Sequence, residues 1–309
     1  MTTDWTDRIR LRNLKFLLSL AQTRNLSHSA TLLHTTQPAL SKWLKDLESD
    51  IGLPLFERHA RGLMPTTHGE VLIAHARRIE AQLDRAAADM SVLRFGGAGR
   101  VVIGASGAAA SEAAPRAVLA IGERMPELRV DLVEGTMDRL MGLLAGGDLD
   151  IVIGRTASIE ADAGNIRSEV LYVEPVDLVA RPDHPLFDLP RVGWEDVERY
   201  RWIVWPSQTP VRKALEAALA KAGRSLPNHY IESNSVIANI TLLNYSDVIG
   251  TASHRSSMVL SRLGVLRILP FRLDGVGSVS LYWRNDELYP KSVEVALECI
   301  REVAANPAP

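Results

Sequence analysis

Over its first 95 residues the chain repeats apolar side chains at intervals of three and four, the period of an amphipathic helix. Leu14, Leu17, Leu18 and Ala21 form one such stripe. Ala30 and Leu33 mark a shorter helix, whose start the pattern places at Ser27, a good N-cap. A third helix opens after Thr36 with Pro38 in its first turn, where a missing N–H costs nothing, and Gly52 ends it. Its apolar positions are Leu40, Trp43, Leu44 and Leu47, which leaves Gln37, Ser41, Lys42 and Lys45 on another face. An extended run Leu55-Phe56-Glu57-Arg58, a turn at Arg61-Gly62 and the run Leu63-Met64-Pro65 then read as a small hairpin. Three short helices followed by a hairpin describe a winged helix-turn-helix over residues 1–66.

Residues 67–94 predict one long helix. Leu72, Ala76, Ile79, Leu83, Ala86, Met90 and Leu93 follow one another at alternating steps of four and three, a heptad seam. Stripes of this kind usually pack into a core. A helix that projects from a small domain has no core to reach, so the seam is read as a dimerisation surface.

The glycines at 96, 97 and 99 break the helical pattern, and Val101-Val102-Ile103 opens a different one. Strands are expected at 101–105, 128–133, 150–154, 171–180, 202–204, 229–232, 247–251, near 265–269 and at 277–283. Helices are expected at 111–124, 137–145, 210–222, 235–243 and 290–304. Alternation of this kind implies a mostly parallel sheet with helices on both faces, built as one domain or two small lobes over residues 95–309.

Composition adds limits. One cysteine, Cys299, can form neither an internal disulfide nor a zinc site, which suits a reducing cytoplasm. The apolar run at 16–20 is too short to span a bilayer and lacks the marks of an export signal, so neither membrane nor secretion is expected. The net charge of −2 does not suggest nucleic acid, but it is unevenly spread. Residues 1–95 hold 13 Lys and Arg against 10 Asp and Glu, and five of the eight histidines. A basic face on the first domain is therefore permitted.

A helix that enters a major groove must show hydrogen-bonding side chains along its N-terminal half. Gln37 can pair with adenine through two bonds, Lys42 can reach guanine or phosphate, and Ser41 is short enough to approach base edges. Arg58 and Arg61 on the wing suit phosphate or the minor groove. Singly, each is more simply a solvated surface residue; together they are specific.

The run from Ala30 to Ser41, with Thr35-Thr36-Gln37-Pro38-Ala39-Leu40-Ser41 at its centre, carries a family signature. With Leu47-Glu48, Gly52, Leu55-Phe56-Glu57-Arg58 and Thr66-Thr67-His68-Gly69 it closely resembles the LysR-type transcriptional regulators. The resemblance extends over the whole length. It implies that Ser27, His28, Thr36, Gln37, Pro38, Ser41, Lys42, Lys45 and the wing arginines lie at or near double-stranded promoter DNA. Two departures stand out. His28-Ser29 replaces a common Arg-Ala, and Lys42 replaces a common Arg, giving a point charge in place of a planar fork. The resemblance also implies two α/β lobes like those of periplasmic solute-binding proteins, at about 96–166 with 271–309 and at about 167–270. A small-molecule effector would sit between them. Self-association to a dimer and then a tetramer, contact with RNA polymerase and no cofactor complete the implied picture.

The expected strand ends support such a cleft, since ligands in open α/β sheets sit there against helix starts. Ser106-Gly107, Gly135-Thr136 and Arg155 follow the first three strands of the second region. Ser207-Gln208-Thr209, Asn234-Ser235 and Ser253 follow later ones. Hydroxyls and backbone N–H groups at helix starts favour an anion, with Arg155 as counter-charge. As plain N-caps these residues would need no ligand, and Trp205 reads as core before it reads as a stacking platform.

Two rivals are weaker. Gly104-Ala105-Ser106-Gly107-Ala108 lacks the last glycine of a nucleophile elbow, and neither His184 nor His254 is tied to Ser106 by the sequence, so no enzyme is expected. An exported solute-binding protein would account for the second region but not for the first.

Overall fold

A computed structural model describes residues 5–59, 62–95, 99–155, 166–285 and 290–306. The chain divides into two compact units, one of residues 1–96 with 146–148 and one of residues 97–145 with 149–309. Arg61 lies outside the described residues, as does the side chain of Leu93.

The first unit contains α1 (Leu11–Thr23), α2 (Leu26–Leu32), α3 (Gln37–Ile51), β1 (Phe56–His59), β2 (Gly62–Pro65) and α4 (Thr67–Phe95). The two strands form the expected hairpin, with Phe56 opposite Pro65 and His59 opposite Gly62. Leu14, Leu17 and Leu20 of α1 meet Ala30, then Leu40, Leu44 and Leu47 of α3, then Leu55, Phe56 and Leu63. The α1 stripe therefore runs through Leu20, while Leu18 and Ala21 are only half-buried.

Local hydrogen bonds fix the helix starts. The α2 cap is Asn25, whose Oδ1 accepts from the His28 N–H at 3.0 Å, so Ser27 lies inside the helix and does not cap it. For α3, the Thr36 hydroxyl accepts from the Ala39 N–H at 3.3 Å, and Gly52 closes the helix at φ 77°. The Glu48 carboxylate then accepts from Leu55 N–H at 2.7 Å and Phe56 N–H at 3.0 Å, tying β1 to the end of α3. Gly69 has a steric reason to be glycine. A Cβ there would come within 2.0 Å of the Leu55 carbonyl oxygen, so the first turn of α4 rests directly on backbone.

The heptad seam of α4 divides. Ala76 is buried in the unit's own core, with Ile73 beside it and Leu72 half-buried, so Ala76 is not free for a partner as the seam implied. Farther along, Ile79, Leu83, Ala86 and Met90 are exposed within the single chain.

The second unit runs β3 (Arg100–Ala105), α5 (Gly107–Ala110), α6 (Ala113–Arg124), β4 (Arg129–Glu134), α7 (Met137–Gly146), β5 (Ile151–Gly154) and β6 (Ile166–Ala180). It continues α8 (Trp194–Val197), β7 (Trp202–Val204), α9 (Pro210–Lys221), β8 (Tyr230–Glu232), α10 (Val236–Asn244), β9 (Ile249–Ser253), α11 (His254–Arg262), β10 (Arg267–Arg284) and α12 (Lys291–Ala305). The strand order is β4-β3-β5-β10-β6-β9-β7-β8. Strands β3, β4 and β5 pair in parallel, and so do β7, β8 and β9. The expectation of a mostly parallel sheet holds only for these two ends. The long strands β6 and β10 join them by antiparallel pairing with each other and with their neighbours.

The strands expected near 265–269 and at 277–283 are one strand, β10, whose register against β6 shifts between Ile268 and Arg272 and between Arg272 and Val276. The helix expected at 111–124 is α6, which starts at Ala113, and the short α5 precedes it.

Four core clusters flank the long strands, among them one of Val102, Leu140, Leu144 and Tyr282 and one of Val179, Ile203, Leu243 and Leu266; the two largest are as follows. One gathers Val101, Ile103, Ile151, Ile153, Leu281, Leu297 and Ile300; the other gathers Val176, Leu178, Trp202, Leu215, Ile249 and Leu273. Leu171 and Tyr172 pack on the first core, and Phe271 and Leu273 on the second. Each crossing thus falls several residues beyond the expected 166 and 270.

Candidate functional site

In the first unit the N-terminal half of α3 presents the polar set. Thr36, Gln37, Pro38, Lys42 and Lys45 are exposed and Ser41 is half-buried, while Leu40, Leu44 and Leu47 on the other side are buried. Positions 37, 41 and 45 fall one turn apart, so the row spans about 12 Å, close to the width of a B-form major groove. Ser27 and His28 are exposed on α2, and Arg58 is exposed on β1. Ser29 is fully buried, and its hydroxyl lies 2.6 Å from that of Thr23. That contact joins α1 to α2 and satisfies a buried polar group.

In the second unit a cavity of about 600 Å³ opens at the strand ends. Nine of the eleven residues expected there line it: Ser106, Gly107, Gly135, Thr136, Arg155, Gln208, Thr209, Asn234 and Ser253. Ser207 and Ser235 do not. Ser235 is the cap of α10, its hydroxyl accepting from the Ala238 N–H at 3.2 Å, and Ser207 is exposed beyond the wall. Trp205 lines the cavity and donates its indole N–H to the Thr251 carbonyl at 2.8 Å, so it is positioned as wall and not as core.

Arg155 is the cation among the described lining residues. It is 2% exposed; its Nη2 donates to the Glu174 carbonyl at 3.0 Å and lies 3.4 Å from the Glu174 carboxylate. Its Nε and Nη1 are buried and have no hydrogen-bond partner among the described residues. Burial pushes the Arg155 guanidinium below its usual range and the Glu174 carboxyl above its own, because both charges are held away from water. Glu134 and Asp138, also in the wall, are exposed and screened by solvent. The Ser106 hydroxyl accepts from the Arg155 N–H at 3.4 Å, and the Ser253 hydroxyl lies 2.8 Å from that of Ser256.

The two histidines weighed as bases are engaged elsewhere. His184 Nδ1 accepts from the Leu186 N–H at 3.2 Å with its other nitrogen 3.2 Å from the Asp247 carbonyl, and His254 Nδ1 lies 2.9 Å from the Asp177 carboxylate.

Sequence reasoning passed over the apolar part of the wall. Val179, Ile203, Ile240, Leu243, Leu260 and Leu266 line the cavity, and so does Asn239, whose Oδ1 is buried without a partner. These residues read as core in the sequence. The available signal was Gly250, a glycine inside an expected strand.

Two family descriptions match the chain: "Bacterial regulatory helix-turn-helix protein, lysR family" over residues 11–70, and "LysR substrate binding domain" over residues 96–305. The chain is 31% identical to the HTH-type transcriptional regulator GbpR of Azospirillum brasilense, over 95% of this chain and 86% of that protein. It is 30% identical to the HTH-type transcriptional regulator GalR of Pseudomonas putida, over 96% of this chain and 75% of that one. In fold it is similar to full-length CbnR in complex with its target DNA, with a TM-score of 0.69 at 18% identity over 95% of this chain and 99% of that one.

Proposed function

The chain belongs to the LysR family of transcriptional regulators, and on that premise we propose that the exposed row of α3 reads the operator while an anion held at Arg155 sets the response. The protein is a DNA-binding transcriptional regulator with an effector-binding domain; its relatives are regulators, not enzymes. Gln37, Ser41 and Lys42 reach base edges, and Thr36, Lys45, Ser27, His28 and Arg58 hold the backbone. The observation that carries this reading is the division of α3, whose two turns of exposed polar side chains stand opposite three buried leucines.

Two copies mated along the exposed part of α4, at Ile79, Leu83, Ala86 and Met90, present two reading helices to a dyad-related site. Pairs of dimers form a tetramer in the cytoplasm, and the bound assembly contacts RNA polymerase. At the cleft, the hydroxyls of Ser106, Thr136 and Ser253 offer donors to one carboxylate or similar anion, with the guanidinium of Arg155, buried behind the wall, as the counter-charge. An anion held there favours the cleft geometry in which it binds.

Two titrations test the reading. The logarithm of affinity for the promoter upstream of the regulator's own gene should fall steeply and linearly with the logarithm of salt concentration, since phosphate contacts release counterions. A flat response would remove the DNA half. Thermal shifts with small carboxylates should vanish in Arg155→Gln; shifts that persist there would remove the anion half.

A further inference from the structure

Among the described residues two that are not glycine hold a positive φ, Arg24 at 53° and His34 at 51°, and they flank α2 on either side. A side chain in this left-handed region crowds its own backbone, so the conformation usually falls to glycine. In the first unit it serves as a helix C-cap twice, with different residues. Arg24 ends α1 and Gly52 ends α3, both left-handed, and each donates its N–H to the carbonyl four residues back, Arg24 to Leu20 at 2.9 Å and Gly52 to Glu48 at 2.8 Å. At α3 glycine does the work without strain. At α1 the same work is done by an exposed arginine whose side chain makes no hydrogen bond or ion pair with a described residue.

The strained turn is firmly braced. The Thr23 hydroxyl donates to the Asn25 carbonyl at 3.1 Å and lies 2.6 Å from the Ser29 hydroxyl, while the Arg24 carbonyl accepts from the Leu63 N–H at 2.8 Å. Leu63 is the cross-strand partner of Arg58. Next to it, a Cβ on Gly62 would fall 2.6 Å from the Arg24 carbonyl oxygen, so the second strand of the wing rests on this turn. Arg24 is thus one hydrogen bond from the strand that pairs with Arg58, and three residues before Ser27. Strain of this kind persists where the surroundings fix it, and it gathers at sites that bind.

We infer that Arg24 is a further DNA contact, a phosphate clamp set where the wing meets the start of α2, and that the turn keeps arginine in place of glycine for that charge. The inference rests on the reading of α3 as the helix that faces DNA. Its ligand is a backbone phosphate, since an exposed guanidinium on a fixed root suits a phosphate oxygen and reads no sequence.

The test is the salt dependence of duplex binding by the full-length protein, on its own promoter and on a duplex of scrambled sequence. The proteins compared are the parent, Arg24→Gly, Arg24→Gln and Arg24→Lys. The logarithm of affinity falls with the logarithm of salt by about 0.9 for each phosphate neutralised. Arg24→Gly and Arg24→Gln should each lower that slope by about one per bound subunit. Each should also weaken binding about fivefold to tenfold at about 0.1 M salt, equally on both duplexes. Arg24→Lys keeps the charge and should keep the slope. Stability should move the other way: Arg24→Gly relieves the turn and should raise the melting temperature by about 2–5 °C while binding weakens.

A parent with a steep slope that Arg24→Gly and Arg24→Gln leave unchanged would overturn the clamp and leave the reading of α3 standing. A loss confined to the promoter would overturn it too, because a phosphate contact is blind to sequence. So would an Arg24→Gly protein that melts below the parent, which would make the arginine a support of the fold. A flat response in the parent would remove the DNA reading itself, and the clamp with it.

Discussion

The reading face of α3 and the cleft at Arg155 are built in opposite ways. The α3 face comes from one short stretch of sequence, and its side chains are exposed, Ser41 half so, with little duty in the fold beyond the Thr36 cap and Pro38 in the first turn. The cleft collects residues from position 106 to position 266, and several of them are buried groups the lobe depends on. Function is thus separable from stability at the first site and entangled with it at the second. Variants at the two should fail differently.

The largest effect is expected at the cleft. Arg155→Ala leaves the Glu174 carboxylate, at 3% exposure, without its ion-pair partner and held by the Arg255 N–H at 2.8 Å, and removing one member of a buried pair costs about 3–5 kcal/mol. Chemical denaturation of the full chain, following the transition of the second unit, measures it. A loss below about 1 kcal/mol would show that Glu174 takes up a proton or water cheaply, and the entanglement would be wrong.

Adjacent residues on α3 sharpen the contrast within one helix. Leu40, with no exposure at all, should cost about 2–5 kcal/mol on replacement by Ala. Ser41→Ala beside it should stay within about 0.5 kcal/mol while weakening operator binding. Thermal melting and a gel-shift titration on the two variants separate these outcomes.

Smaller again is the α2 cap. Asn25→Ala should lose about 1 kcal/mol, and Ser27→Ala nearly nothing, in urea melts of the full chain. The reverse order would return the cap to Ser27.

The smallest expected effect is a slope. Burial holds the Glu174 carboxyl above its ordinary value of 4.5, so the folded state binds that proton more tightly than the unfolded state. Its contribution is full below 4.5 and is lost as the pH rises through the raised native value. Glu174→Gln should flatten that decline in a stability profile from pH 4 upward; an unchanged slope would assign it to other groups.

The same division governs how much the sequence disclosed. Around α3 nearly everything needed is local. Thr36, Pro38 and Gly52 bound the helix by their own chemistry, and the four-residue rhythm of Leu40, Leu44 and Leu47 gives the buried face. The cap of α2 is Asn25, two residues before the expected Ser27, and a single bond from the His28 N–H to Asn25 decides it. In the second unit the errors are non-local. The long strand β10 looked like two because glycines at 275 and 277 interrupt its pattern, yet β6, pairing from about a hundred residues earlier, carries it through. Antiparallel joining in the middle of the sheet leaves no trace in hydrophobic periodicity. The cleft's polar rim was legible because strand ends and helix starts predict it. Its apolar floor was not, since Val179, Ile203 and Leu243 look the same whether they face a core or a cavity.

The central claim is that the exposed row of α3 reads DNA and does nothing else of consequence. Equilibrium affinity of the full-length protein for its own promoter, measured with Gln37, Ser41 and Lys42 all replaced by alanine, tests it most directly. The account predicts a fall of about a hundredfold or more with the melting temperature unchanged. Affinity equal to that of the parent in a fully folded variant would contradict it.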